Sequence, residues 1–228
     1  MPQLHTLSQC KMSLFEDEAR ELVGLYPKLN IVNRLGKITL DGVIELLDEQ
    51  GDLLDSYQLE IQESDGYPFM FPLVFEIGKK FPVNIEWHVY EGLGNCCIKI
   101  PPEEELICKD GLSLKVFIEE QLLPYLFNQT FRRENGYYIN ERPHGVAGLI
   151  DYYGEQLGSK DKREIVKLLG NILFKPELNR VALCFCGSGE KYRRCHRDAY
   201  RLLSKIKRDN LLMHLQVLID DIKKDPKQ

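Results

Sequence analysis

The stretch Gly66-Tyr67-Pro68-Phe69-Met70-Phe71-Pro72, followed at once by Leu73-Val74-Phe75-Glu76-Ile77, decides the fold of this chain. Prolines 68 and 72 lack the amide that a central strand needs, so the first seven residues predict a bent lead-in and the run after them a strand. Upstream, Lys37 to Leu47 and Leu53 to Gln62 are rich in β-formers, and Asp48-Glu49-Gln50-Gly51-Asp52 between them suits a hairpin connection. Three such strands in succession predict an antiparallel meander. Ahead of it, Leu14, Leu22, Val23 and Leu25 sit among acidic residues and predict a short amphipathic helix from Ser13 to Leu25, ended at Tyr26-Pro27.

Downstream, the chain from Phe81-Pro82 to Ile100 predicts short strand or irregular coil, ending in Pro101-Pro102. The next periodic element is Leu112 to Phe127, where Val116, Phe117, Leu122 and Leu126 share an apolar face and Pro124 is a bend or a stop. Residues 136–158 read as a loop leading into a short helix, and a further helix runs from about 161 to Phe174, where Lys175-Pro176 stops it. Ala199 to Ile222 has helical spacings with a break expected at Asp209-Asn210. Strands followed by helices make an α+β protein. The domain boundary is expected near Gly158, with 1–158 the larger unit and 159–228 a small helical one.

A chain of 228 residues with 43% hydrophobic and 29% charged residues can build a core, which removes disordered, collagen-like and disulfide-scaffold classes. The net charge of −5 hides an asymmetry. Residues 1–158 carry 13 Lys+Arg against 26 Asp+Glu, whereas residues 159–228 carry 17 against 9. Bulk charge therefore argues against nucleic-acid binding by the whole chain and leaves it open for the basic tail. No run approaches a membrane span and no apolar leader opens the sequence, so the expected location is cytoplasmic, with no membrane partner. Seven cysteines are an odd number and a poor disulfide framework: Cys10, Cys96, Cys97 and Cys108 lie in the acidic part, Cys184, Cys186 and Cys195 in the basic part.

The basic part contains Cys184-Phe185-Cys186-Gly187-Ser188-Gly189, then Glu190-Lys191-Tyr192-Arg193-Arg194, then Cys195-His196. Two thiols one residue apart can bind one ion from a tight turn, and the Gly-Ser-Gly loop lets the chain return with a second pair. Three thiolates and an imidazole suit tetrahedral zinc. The plainer reading is three ordinary cysteines near a loop histidine. These residues resemble the SEC-C motif, a small zinc module whose pattern is Cys-x-Cys-Gly-Ser-Gly, a basic and aromatic stretch, then Cys with Cys or His. The resemblance implies that the module docks a partner and does no chemistry. Lys191, Arg193, Arg194 and Arg197 can also contact phosphates, and equally can be a solvated face.

In the acidic part, Tyr67-Pro68-Phe69 with Pro72, His88, and Gly94-Asn95-Cys96-Cys97-Ile98 stand in the order helix, meander, bend, cysteine, helices. This resembles the ubiquitin-conjugating enzymes, with their Tyr-Pro-Phe-x-x-Pro bend, His-Pro-Asn motif and Gly-x-x-Cys-Leu active-site segment. The resemblance implies a ubiquitin-conjugating-enzyme-like fold, a thioester on Cys97, and a ubiquitin-like protein and its activating enzyme as partners. The chain departs from the pattern where Val89-Tyr90 replaces Pro-Asn, which removes the amide that stabilises the oxyanion; Asn95, Tyr90 or His88 are the substitutes at hand. That divergence is similar to bacterial relatives, some of which accompany nucleotidyltransferases in antiphage operons, and it implies antiviral defence with a nucleotidyltransferase among the targets.

Thioester exchange is nearly isoenergetic, so an ordinary thiol suffices for it. An imidazole, His88 or His144, can assist release to an amine or hydroxyl. Each residue also has a plainer role: Cys97 as a small buried apolar residue, His88 as a satisfied core histidine beside Trp87, His144 as a turn or cap residue. The alternative to a carrier is an inactive adaptor of the same fold that binds protein or nucleic acid through its tail. In an extended segment Cys96 and Cys97 face opposite sides, so one can be buried while the other lines a site.

Overall fold

Ser13 caps the first helix, its hydroxyl accepting the Glu16 amide at 3.2 Å, and Glu16 with Asp17 places negative charge in the first turn, where the helix dipole favours it. Helix α1 (Leu14–Leu25) buries Phe15, Ala19 and Leu22, one stripe at helical spacing. The computed structural model describes residues 13–139 and 142–224; Cys10 lies outside them. Four antiparallel strands follow in meander order: β1 (Leu29–Arg34), β2 (Lys37–Leu47), β3 (Leu53–Gln62) and β4 (Leu73–Glu76). Leu40, Ile44 and Leu46 of β2, and Tyr57, Leu59 and Ile61 of β3, alternate inward and form the core with α1.

Strand β1 is one more than the three expected. It joins β2 through Leu35-Gly36, both with positive φ (53° and 87°), the backbone a two-residue hairpin turn requires. Leu at the first of these positions carries no turn signal, and β1 ends in the exposed Asn33 and Arg34, so its alternation is brief. At the next hairpin Asp48 Oδ1 accepts the amides of Gln50 and Asp52 at 2.9 and 2.8 Å.

The bend before β4 contains a cis Tyr67-Pro68 bond and is tied down on three sides. The Tyr67 hydroxyl donates to Glu18 of α1, whose carboxylate also accepts the Leu114 amide at 2.6 Å. The Phe71 amide donates to Glu104 at 2.9 Å, and the Leu112 amide to the Pro68 carbonyl at 2.9 Å. Pro101-Pro102 ends the irregular stretch as expected and also opens helix α2 (Pro101–Cys108), where prolines at the first positions lose no helical bond.

The helix expected from Leu112 to Phe127 runs from α3 (Leu114–Val116) through a π-helical turn (Phe117–Leu122) into α4 (Leu123–Asn135). The Leu123 amide reaches back to the Ile118 carbonyl. Pro124 has no amide and its ring crowds the preceding turn; widening that turn absorbs the misfit, so the proline does not end the helix. Gly136, at φ 85°, closes α4.

A second core gathers around α5 (Gly145–Leu157), α6 (Lys162–Phe174), α7 (Arg197–Leu203) and α8 (Arg208–Lys224), with Tyr153, Leu157, Ile165, Leu169, Leu203 and Leu211 buried. The Tyr153 hydroxyl lies 2.8 Å from His214 Nδ1 inside it. Gly158, where the sequence suggests a boundary, is the left-handed cap of α5, and α5 itself belongs to this second core. The break in the last helical stretch falls at Ser204 to Lys207, ahead of Asp209-Asn210. The whole is α+β, with an antiparallel sheet, and no helix among the described residues is long and apolar enough to cross a membrane.

Candidate functional site

Between β4 and α2 the chain forms a loop fastened to the sheet. The Cys96 amide donates to the Val74 carbonyl of β4 at 2.7 Å, and the Cys97 amide to the His88 carbonyl at 2.7 Å. Val89 and Cys96 pair as an isolated bridge, and the Tyr125 hydroxyl of α4 holds the same His88 carbonyl at 3.0 Å. Extended backbone sends neighbouring side chains to opposite sides. Cys96 packs into the sheet core, where burial pushes its thiol up to about 12; Cys97 turns to a cleft.

That cleft, about 410 Å³, is lined by His88, Cys97, Glu103, Tyr138, Arg142 and His144 among others. His88 closes a 3₁₀ turn (Ile85–Trp87) in a left-handed conformation (φ 51°), and its ring meets His144 edge-on at 4.0 Å and Tyr138 at 4.9 Å. Burial, then the nearby His144 and Arg132, push His88 down to about 4, so it is neutral at pH 7. His144 stands at the start of α5, yet its side chain makes no capping bond and its Nε2 is buried with no partner among the described residues. Cys97 is only 7% exposed, and its Sγ donates to the Tyr90 hydroxyl at 3.2 Å. Burial raises the Cys97 thiol; the Tyr90 hydroxyl, which can donate to a thiolate, pulls it down, and the Glu104 carboxylate pushes it up again. The fold thus gathers Cys97, His88 and His144. Asn95 lines neither this cleft nor the second one beside Cys97, and contributes its carbonyl to the Tyr90 amide at 2.9 Å. The hydroxyl of Tyr90 at 3.2 Å and the Lys99 carbonyl at 4.0 Å are polar groups against the thiol. Arg142 and Glu103, which pair at 3.3 Å in the cleft, carried no local signal because only tertiary packing brings them there.

The second constellation is a knuckle. Leu183 and Lys191 bridge, the Cys184 amide donates to the Glu190 carbonyl at 2.9 Å, and Gly187 and Gly189 take positive φ (85° and 80°) to turn the chain. Buried Tyr192 packs beneath Phe185. The Sγ atoms of Cys184, Cys186 and Cys195 and a ring nitrogen of His196 all lie within 4.8 Å of one another. His196 Nδ1 is 3.3 Å from Cys184 Sγ and 3.1 Å from Cys195 Sγ, and Cys186 and Cys195 are 3.6 Å apart.

Residues 182–198 match the SEC-C motif. No curated protein matches the chain, and no solved structure does.

The SEC-C donor set fits a metal ion on two grounds. Tetrahedral coordination at ordinary metal–sulfur and metal–nitrogen lengths sets donor atoms roughly 3.5–3.8 Å apart, close to the spacing here. The His196 Nε2 lies 2.9 Å from the Leu157 carbonyl, which can only accept, so Nε2 carries the proton and the Nδ1 lone pair faces the thiols. The thiols themselves are set against one another. Although desolvation opposes it, hydrogen bonds from Ser188 and the adjacent thiols bring Cys186 down to about 6, while desolvation and its neighbours push Cys195 up to about 12.

Proposed function

We propose that this chain is an acyl carrier of the ubiquitin-conjugating type, taking the C-terminal acyl group of a ubiquitin-like protein on Cys97 and passing it to a target. The observation that carries this reading is the fastening of Cys97 to His88: one backbone hydrogen bond fixes the thiol in the cleft that holds His88 and His144. The element order supports it too. A helix, a four-stranded meander, a Tyr-Pro bend and a cysteine loop followed by helices is the order of a ubiquitin-conjugating-enzyme-like fold.

In the first step the Cys97 sulfur attacks the carbonyl carbon of the activating enzyme's thioester; the new C–S bond forms as the old one breaks, and the proton leaves with the departing thiol. In the second, an amine or hydroxyl attacks, the Cys97 C–S bond breaks, and the nucleophile's proton returns to sulfur. Neutral His88 can accept that proton in passing, and Tyr90 takes over the oxyanion donation that the absent amide would give. In this reading Cys184, Cys186, Cys195 and His196 of the SEC-C knuckle would hold zinc, which would act as a structural ion for partner docking. The bacterial antiphage setting and a nucleotidyltransferase target belong to the same proposal.

The burial of Cys97 favours a second reading, an adaptor of the same fold without chemistry. The experiment that decides is incubation of the full chain with the mercaptoethanesulfonate thioester of a peptide ending in Gly-Gly. A carrier gives an adduct on Cys97 that hydroxylamine removes, absent in Cys97→Ala and kept in Cys96→Ala. A folded chain whose Cys97 stays unacylated is an adaptor.

A further inference from the structure

Cys97 lines two clefts, not one. Besides the polar cleft of the histidines, it borders a second of about 410 Å³ whose walls include Ile85, Ile100, Val146, Leu149 and Val217. The two share Cys97, Ile100 and His144, so the thiol stands on the divide between them. Their chemistry differs sharply. The first offers imidazoles, Arg142, Glu103 and Asp151; the second, apart from Cys97, His144 and the Tyr90 ring, is aliphatic or backbone.

A thioester carrier has to place two bodies around one carbonyl carbon: the acyl chain on one side and the incoming nucleophile on the other. We infer that the apolar cleft is the acyl site, and that it selects acyl groups with an apolar side chain one residue before the esterified carbonyl. This rests on the reading of Cys97 as a carrier. The polar cleft then receives the nucleophile, whose proton needs an acceptor and whose approach needs water-compatible walls. An aliphatic wall offers nothing to an amine, and a cleft of this size falls in the range that accommodates a small ligand group.

The placement also assigns acyl choice to a particular part of the chain. Ile85 and Ile100 come from the loops around the meander, whereas Val146 and Leu149 come from α5 and Val217 from α8. The helical second core thus supplies the outer wall of the acyl site. Val217 is 36% exposed, so it can be changed without disturbing that core.

The test compares mercaptoethanesulfonate thioesters of N-acetyl-leucyl-glycine, N-acetyl-glycyl-glycine and N-acetyl-aspartyl-glycine on the full chain. All three have glycine at the reacting carbonyl, so differences report the neighbouring side chain. Acylation of Cys97 is followed by site-resolved peptide mass spectrometry, with Cys97→Ala as the blank. The leucyl donor is expected to react about tenfold faster than the glycyl one, with the aspartyl donor slowest. Val217→Asp should remove most of the leucyl advantage while leaving the melting temperature near wild type. Acylation of Cys97 at equal rates by all donors, or a preference that Val217→Asp leaves intact, overturns the acyl site and spares the carrier reading. No acylation by any donor overturns both.

Discussion

His196 Nε2 donates to the carbonyl of Leu157, the last residue of α5, at 2.9 Å. The final carbonyls of a helix have no partner within it, so the knuckle's imidazole satisfies one of them while the same bond aims its other nitrogen at the thiols. The Cys/His donor set and the end of α5 are therefore one structural unit.

From this follows a prediction about metal content. Purified protein should carry one zinc per chain by elemental analysis, and Cys184→Ser combined with Cys186→Ser should lose it. Structural zinc sites in small modules contribute about 10–16 kcal/mol, far more than the local packing of the knuckle can replace. Chelation should therefore unfold residues 182–198 and raise amide exchange at the C-terminal turn of α5, as hydrogen exchange would show. Metal-free wild-type protein with a protected knuckle would refute this.

A second prediction concerns Cys97. Burial and the Glu104 carboxylate hold its thiol above the ordinary range, so iodoacetamide should alkylate it slowly at pH 7 and faster as pH rises past that of a free thiol. Glu104→Gln removes a negative charge and should move the inflection to lower pH, accelerating alkylation at neutral pH several-fold. Tyr90→Phe removes a donor to the thiolate and should slow it by a similar factor. Site-resolved rates across pH 6 to 10 measure both; unchanged profiles in both variants would contradict the assigned surroundings.

His88 yields a third. Its folded value of about 4 is depressed below that of a free imidazole, so its neutral form contributes stability that is fully present above about pH 6.5 and is lost as pH falls toward 4. In NMR titration the His88 ring should show no inflection between pH 6 and 7. Mutating His144 to Gln should raise the His88 inflection, since one of the groups opposing its charge is gone.

The parts of this protein that the sequence displays are those whose partners lie close along the chain. The knuckle's four candidate ligands fall between Cys184 and His196, and the Gly187 and Gly189 turns between them are written in the residue types. The meander was legible in β2, β3 and β4 because alternation is sustained over β2 and β3 and the bend at Pro68 and Pro72 isolates β4. Strand β1 was not, since a leucine occupies a left-handed turn position that usually signals glycine or asparagine. Pro124 reads as a bend or a stop because spacing cannot reveal a turn widened to admit it. The apolar cleft was invisible for a different reason: Ile85, Leu149 and Val217 come from three elements that only the packed fold brings together.

Asp55 gives the last prediction, about acid stability. It lies on β3 with its side chain 8% exposed, paired with Lys80 and with Arg133 of α4, and it accepts the Thr130 hydroxyl at 2.9 Å. Burial alone would raise its carboxyl, but the bonds from Lys80, the Ser56 amide, Thr130 and Arg133 together hold it well below the usual carboxylate range. A depressed folded value means that its stabilisation is fully present above the unfolded value of about 3.9 and drains away as pH falls below it. Urea unfolding from pH 7 to 2 should show wild-type stability dropping below pH 4, and Asp55→Asn should flatten that drop. At pH 7, Asp55→Ala should cost about 3 kcal/mol, because it strands Thr130, Lys80 and Arg133 around a vacated anion. The sheet and α4 share this one carboxylate, so its loss should also speed exchange of the β3 amides, whereas a purely local effect would leave them at the wild-type rate.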